Sequence, residues 1–184
     1  ITYRDQNNCD TTETFTITEP PALSGTLLIS QAVSCFGVCD GELTFSVNGT
    51  QIGTPGYQYS IDNGLTFQNS AIFPGLCGNN AYDVIVEDVN LCQYSAPLFL
   101  TAPNDIFYSL IITDYNGFEI SCNGLNDGQI TINSPSGGTS PYQYSSDGGG
   151  TYGANNIFSN LYANQYSISV IDFSGCTSDT IIDM

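Results

Sequence analysis

Seven cysteines, a scatter of loop aspartates, and neither histidine nor lysine bound the chemistry open to this 184-residue chain. Without His or Lys there is no ordinary general base near neutral pH and no Schiff-base amine, so catalysis is disfavoured. The cysteines are arranged for pairing with one another. Cys35 and Cys92 return later as Cys122 and Cys176, so the register pairs Cys35 with Cys92 and Cys122 with Cys176. Cys39 and Cys77 occur in only one copy and suggest a private bridge between them, while Cys9 matches Cys92 and has no partner of its own. A Cys35 to Cys92 bridge would close a loop of roughly 58 residues, worth about 4 kcal/mol on the chain-entropy model. Zinc is the competing use of so many thiols, but histidine is absent and the cysteines of one copy stand too far apart for a ligand knuckle. Paired cysteines imply an oxidising, extracellular setting.

The aspartates fall into repeated turn patterns. Ser60-Ile61-Asp62-Asn63-Gly64-Leu65-Thr66-Phe67 returns as Ser145-Ser146-Asp147-Gly148-Gly149-Gly150-Thr151-Tyr152, a Ser-x-Asp-x-Gly-x-Thr-aromatic pattern that resembles the Asp-box. Asp there accepts hydrogen bonds from turn amides and Gly takes a positive φ. Asp-boxes in sialidases are structural, and a sialidase's cluster of arginines cannot come from the single Arg4. Asp40-Gly41 and Asp127-Gly128 are further turn pairs, and Asp88 and Asp172 precede the closing cysteines. These six residues, Asp40, Asp62, Asp88, Asp127, Asp147 and Asp172, are either turn acceptors or, taken together, calcium ligands at a domain junction. Carboxylate pairs for glycoside hydrolysis remain compatible with the composition, although a module repeated in tandem is a poor enzyme candidate.

The elements that hold these residues repeat with a period of roughly 85 residues, the size of a small domain. The chain accordingly reads as residues 1–21, the closing strands of a preceding repeat, followed by full units at 22–103 and 104–184, a window cut from a longer array. Short alternating segments separated by 19 Gly and 8 Pro indicate an all-β fold. Strands are expected in the first unit at 26–32, 42–47, 57–61, 65–67, 71–73, 82–87 and 94–101, with counterparts in the second and one more at 14–18. Seven short strands per unit imply tandem immunoglobulin-like β-sandwiches. Tyr82, Val84 and Val86, and their copies Tyr166, Ile168 and Val170, share one face of a strand and should line the cores. Leu76 and Leu161, just before those tyrosines, suggest a corner where the hydroxyl ties back to the backbone.

A net charge of -17 repels nucleic acid and anionic membranes, and no apolar run is long enough to enter a bilayer. The partners expected are neighbouring repeats of the same chain, with surface polysaccharide or another adhesion ligand as a further candidate, gripped by aromatics such as Tyr108, Tyr115 and Tyr162. Asp10-Thr11-Thr12 and Asp179-Thr180-Ile181 offer Thr11 and Thr180 as O-glycan acceptors, and Asn48-Gly49-Thr50 is an N-linked candidate.

Taken in order, Ser-Cys-x-Gly-x-x-Asp-Gly at 34–41 and 121–128, Tyr-x-Tyr-Ser-x-Asp at 57–62 and 142–147, and the closing Tyr-x-Val-x-Val-x-Asp pattern before Cys92 and Cys176 resemble the SprB repeat of gliding and surface-attached Bacteroidota. The chain departs from the pattern at Gly56, inserted between Pro55 and Tyr57, at Leu91 where the copy has Gly175, and at the extra Cys39 and Cys77. The resemblance implies a very large cell-surface adhesin exported by the type IX secretion system, with repeats forming a stalk or filament that a motor carries in gliding species. The other readings are a carbohydrate-binding module and a non-catalytic appendage of a secreted hydrolase.

Overall fold

A computed structural model gives the backbone of residues 1–184 and every side chain except those of residues 49–51. The Asn48-Gly49-Thr50 site therefore lies partly outside the described residues. The chain is all-β and runs through β1 (Thr2–Arg4), β2 (Asp10–Thr12), β3 (Leu23–Gln31), β4 (Gly41–Ile52), β5 (Gln58–Ser60), β6 (Ile72–Leu76), β7 (Asn80–Glu87) and β8 (Gln93–Leu100). It continues through β9 (Phe107–Ile112), β10 (Gly128–Ser136), β11 (Gln143–Ser145), β12 (Ile157–Leu161), β13 (Gln165–Ile171) and β14 (Thr177–Asp183).

Each unit is a sandwich of two antiparallel sheets in an immunoglobulin-like arrangement. In the first, β3-β4-β6 faces β5-β7-β8; in the second, β9-β10-β12 faces β11-β13-β14. Alternation sets what lies between the sheets. Val84, Val86, Ile168 and Val170 are fully buried, with Tyr82 and Tyr166 packed at the edges of the same cores. Leu43, Phe45 and Phe73 complete the first core, and Ile130 and Ile132 the second. Both tyrosines tie back to the backbone: the Tyr82 hydroxyl donates to the Cys77 carbonyl at 2.9 Å and the Tyr166 hydroxyl to that of Tyr162 at 3.0 Å.

Three expected strands do not form. Residues 65–67 and 151–152 are turns that leave only the isolated bridges Tyr59↔Gln68 and Tyr144↔Gly153, because the preceding aspartates hold the amides of Thr66 and Thr151. Residues 14–18 are irregular although their sequence alternates, because no neighbouring strand pairs with them and a lone strand has no ladder to complete. The chain's first hairpin is β1-β2, and Tyr3, Phe15 and Ile17 are all exposed. Its register, Arg4 opposite Asp10, reproduces Glu87 opposite Gln93 and Ile171 opposite Thr177.

The two cysteine loops of a unit sit at opposite ends of its sandwich. Cys35 lies in the β3-β4 connection, which ends at Gly41 against Leu76 and Leu100, where the chain leaves the unit. Cys92 lies in the β7-β8 turn, with Asp88 close to Gly53 and Leu23, where the chain enters. Seven steps of a strand at about 3.4 Å, roughly 24 Å, separate those ends.

Candidate functional site

Each aspartate singled out in the sequence closes its own turn. Asp62 accepts from the Ser60 hydroxyl at 2.7 Å and from the amide and hydroxyl of Thr66 at 2.9 and 2.6 Å. Asp147 repeats this with Ser145 and with the amide and hydroxyl of Thr151, the latter two at 3.0 and 2.9 Å. Bonds donated to a carboxylate favour its charged form. The Thr66 hydroxyl, then its amide and the Ser60 hydroxyl, bring Asp62 down to about 2. The Ser145 hydroxyl, then the Thr151 amide and hydroxyl, do the same for Asp147. Asp40 and Asp127 accept from the amides of Ser34 and Ser121 at 3.0 and 3.2 Å, and those serines hold both carboxyls below their usual range.

Asp88 and Asp172 are buried at the closing turns, where each gathers amides from two loops. Asp88 accepts from Thr54, Asn90 and Cys92, all at 2.9 Å, and the Thr54 and Cys92 amides lower its pKa. Asp172 accepts from Thr139 at 2.6 Å and Cys176 at 2.9 Å. A Cβ on Gly53 or Gly138, both at positive φ, would meet the Asp88 or Asp172 carboxylate at 2.8 or 2.6 Å, so glycine is what lets that loop close in. A third copy of this turn, missed in the sequence, is Asp5, which accepts from the amides of Asn7 and Cys9 at 2.8 Å. Its signal was there to read, since Asp5 stands four residues before Cys9 as Asp88 does before Cys92 and Asp172 before Cys176. Among the described residues no three His, Cys, Asp or Glu side chains gather where they could hold a metal ion. Asp40 and Asp172 lie in the two turns that the Cys35–Cys176 bridge joins, while Asp62, Asp88, Asp127 and Asp147 lie in other turns.

Disulfide pairing departs from the sequence reading at Cys35 and Cys176 and agrees with it at Cys39 and Cys77. Cys35 is bonded to Cys176 of the other unit, with Cα atoms 5.6 Å apart, and Cys39 is bonded to Cys77 within the first unit. Cys9, Cys92 and Cys122 are free and exposed. The expected Cys35–Cys92 and Cys122–Cys176 bridges are ruled out by placement. A disulfide needs Cα atoms within about 7 Å, and those residues stand a sandwich length apart. What meets instead is the exit end of one unit and the entry end of the next.

That junction is built from both sides. The connecting segment is held to the first unit by the Ala102 amide, which donates to the Asn79 side chain at 3.1 Å. On the second unit the Gly138 amide donates to the Asn104 carbonyl at 2.9 Å. Around the bridge lies a cleft of about 260 Å³ lined by Phe36, Val38, Asn104, Asp105, Ile106 and Thr177, among others. The cleft has walls from both units, Phe36 and Val38 on one side and Asn104, Asp105, Ile106 and Thr177 on the other.

The other candidates are scattered. Tyr108 is half-buried and its hydroxyl donates to Thr180 Oγ1 at 3.0 Å, so it is spent on packing, and Thr180 already accepts that bond. The Tyr115 hydroxyl donates to the Asp127 carbonyl at 3.1 Å, while Tyr162 is exposed. Thr11 is exposed on β2.

Comparison with known proteins gives a local family match. The model of the SprB repeat matches residues 119–151, which run from the loop before Cys122 through the Asp147 turn. No curated protein matches the chain. Among solved structures, it is similar to three N-terminal domains of the highly immunogenic outer capsid protein Hoc of bacteriophage RB49, at 16% identity and a TM-score of 0.39, covering 87% of this chain and 59% of that one. It is also similar to the C-terminal 282-residue fragment of intimin in complex with the intimin-binding domain of the translocated intimin receptor, at 13% identity and 0.40, covering 89% and 64%. A two-domain fibronectin type III segment of chicken tenascin scores 0.28 at 13% identity, covering 90% and 99%. The chain thus spans less than two thirds of the length of the first two. The similarity to the SprB repeat is thus local to residues 119–151, and the motifs in that stretch have counterparts in the first unit at 34–41 and 57–62.

Proposed function

We propose that this chain is a non-catalytic stalk segment of a large cell-surface adhesin, in which consecutive SprB-type sandwiches hold a binding or anchoring part away from the cell. The observation that supports it most is the Cys35–Cys176 bridge, which fastens the exit end of one unit to the entry end of the next and so favours an extended row. The six turn aspartates are held by backbone amides and hydroxyls and the chain has neither His nor Lys, which supports units that act through shape and length. The two disulfides support an extracellular placement. Export by the type IX system and a part in gliding belong to the same reading through the family.

The test is an in-frame deletion of residues 22–184 from the chromosomal gene, with antibody labelling of unpermeabilised cells and electron microscopy of the surface. The expected result is a surface protein that is still exported but shorter. Loss of labelling after surface protease treatment should accompany it. An intracellular protein, or an unchanged surface length with lost adhesion, overturns the stalk reading. In the latter case, binding of the two units to a glycan array identifies them as a carbohydrate-binding module.

A further inference from the structure

The three unpaired cysteines are the ones that the observed bridge, shifted along the repeat, would pair with other units. The bridge joins the loop cysteine of one unit, Cys35, to the closing cysteine of the next, Cys176. Under the same rule Cys122 needs a closing cysteine from a unit after the second, and Cys92 needs a loop cysteine from a unit before the first. Cys9, in the closing turn of the β1-β2 hairpin, falls under it as well.

Both free halves already have the shape of the bonded ones. In the loops, the Val38 amide donates to the Cys35 carbonyl at 3.2 Å and the Leu125 amide to the Cys122 carbonyl at 3.1 Å. Asp40 and Asp127 brace those loops through Ser34 and Ser121, and Gly37 and Gly124 take the same positive φ. In the turns, the amides of Cys9, Cys92 and Cys176 donate to Asp5, Asp88 and Asp172 at 2.8 to 2.9 Å.

The surface beside Cys122 is also prepared. A cleft of about 210 Å³ opens there, lined by Phe118, Ile120, Cys122, Gly124, Ala163 and Met184, among others. The corresponding place in the first unit is covered. There Ala102 of the connecting segment packs on Gly78, and Leu100 lies against Gly41 as Met184 lies against Gly128.

We propose that SprB-type units of this protein are joined by a ladder of disulfides, each from the loop cysteine of one unit to the closing cysteine of the next in the same polypeptide, with Cys122 and Cys92 as its next rungs. The occupant of the Cys122 cleft is then the connecting segment and entry end of a following unit, as Ala102 of the connecting segment covers Gly78 and the second unit's Cys176 meets Cys35 at the first junction. Each rung forms when two thiols become one S–S bond, losing two protons and two electrons to the disulfide of a thiol-disulfide oxidoreductase outside the cytoplasm. The bridged intervals overlap, so a break in the backbone inside either interval would leave the stalk in one piece.

Native full-length protein, alkylated without reduction and then digested, tests this through its crosslinked peptides. The expected products join Cys122 to a cysteine that stands four residues after an aspartate in the following unit, and Cys92 to a loop cysteine of the preceding one. In a Cys122→Ser variant, one new alkylatable thiol should appear, at that downstream closing cysteine. Alkylation of Cys122 before reduction overturns the ladder, and so does its linkage to Cys9, Cys176 or a loop cysteine. A Cys122–Cys92 crosslink overturns it too, since that pair would have to join separate chains. None of these outcomes depends on adhesion, so the ladder and the stalk reading can fail separately.

Discussion

Asp62 and Asp147 turn a flexible Ser-to-Thr segment into a fixed corner, at the cost of a dependence on acid. Their folded pKa of about 2 lies below the ordinary 3.8. The stabilisation is therefore complete above about pH 4 and is lost as pH falls through about 2, because the unfolded chain takes up the protons first. Thermal melts from pH 5 to pH 2 should show this loss. The D62N/D147N double variant should be less stable at pH 5 and show a flatter profile over that window. Leu91 makes a second case. It holds φ at 65° where the copy has Gly175 at 88°, a conformation that costs a side chain about 1 kcal/mol or more. Replacing Leu91 with Gly should raise the stability of the first unit by about 1 kcal/mol in denaturant titrations, provided the exposed side chain gives up no packing.

For the strands, strict alternation made the core faces readable in advance. Tyr82, Val84 and Val86 and their copies point inward because successive strand residues face opposite sides, and one side is buried against the facing sheet. Ile168 is fully buried on β13 while Ile181 on the adjacent β14 is 65% exposed. Ile168→Ala should cost about 3 kcal/mol through its lost contacts and the cavity left behind, whereas Ile181→Ala should stay within about 0.5 kcal/mol. Equilibrium unfolding of the two variants checks the contrast. Alternation misled at 14–18, where the pattern is clean but no partner strand is at hand. It also misled at 65–67 and 151–152, where side-chain acceptors outcompete a ladder for the threonine amides.

In the whole molecule, the Cys35–Cys176 bridge spans 141 residues and encloses most of both sandwiches. Pulled from its ends, the chain carries tension through residues 1–35, across the bridge, and out through 176–184, so the enclosed strands are shielded. A protease site inserted at the connecting segment near Thr101 gives a direct check. After cleavage the protein should run as one species on a nonreducing denaturing gel and as two after reduction. Cys35→Ser should give two species in both. By contrast Cys39–Cys77, with a separation of 38, acts inside the first unit, where it contributes about 4 kcal/mol on the chain-entropy model.

The amino-acid sequence by itself determined the all-β class, the repeat, the inward faces and the Asp-centred turns, because each rests on interactions between residues close along the chain or on a two-residue period. It singled out the private Cys39–Cys77 bridge but could not determine which of the repeated cysteines meet. A repeated pattern looks the same when shifted by one unit, so pairing Cys35 with Cys92 and pairing it with Cys176 satisfy the same register. Only the folded length of the sandwich distinguishes them. Strands β7 and β8 run between opposite ends of the unit, so the β3-β4 loop at one end and the β7-β8 turn at the other stand about 24 Å apart, beyond the reach of a disulfide. Stacking end to end then brings Cys35 and Cys176 to 5.6 Å, because the exit of one unit is the entry of the next.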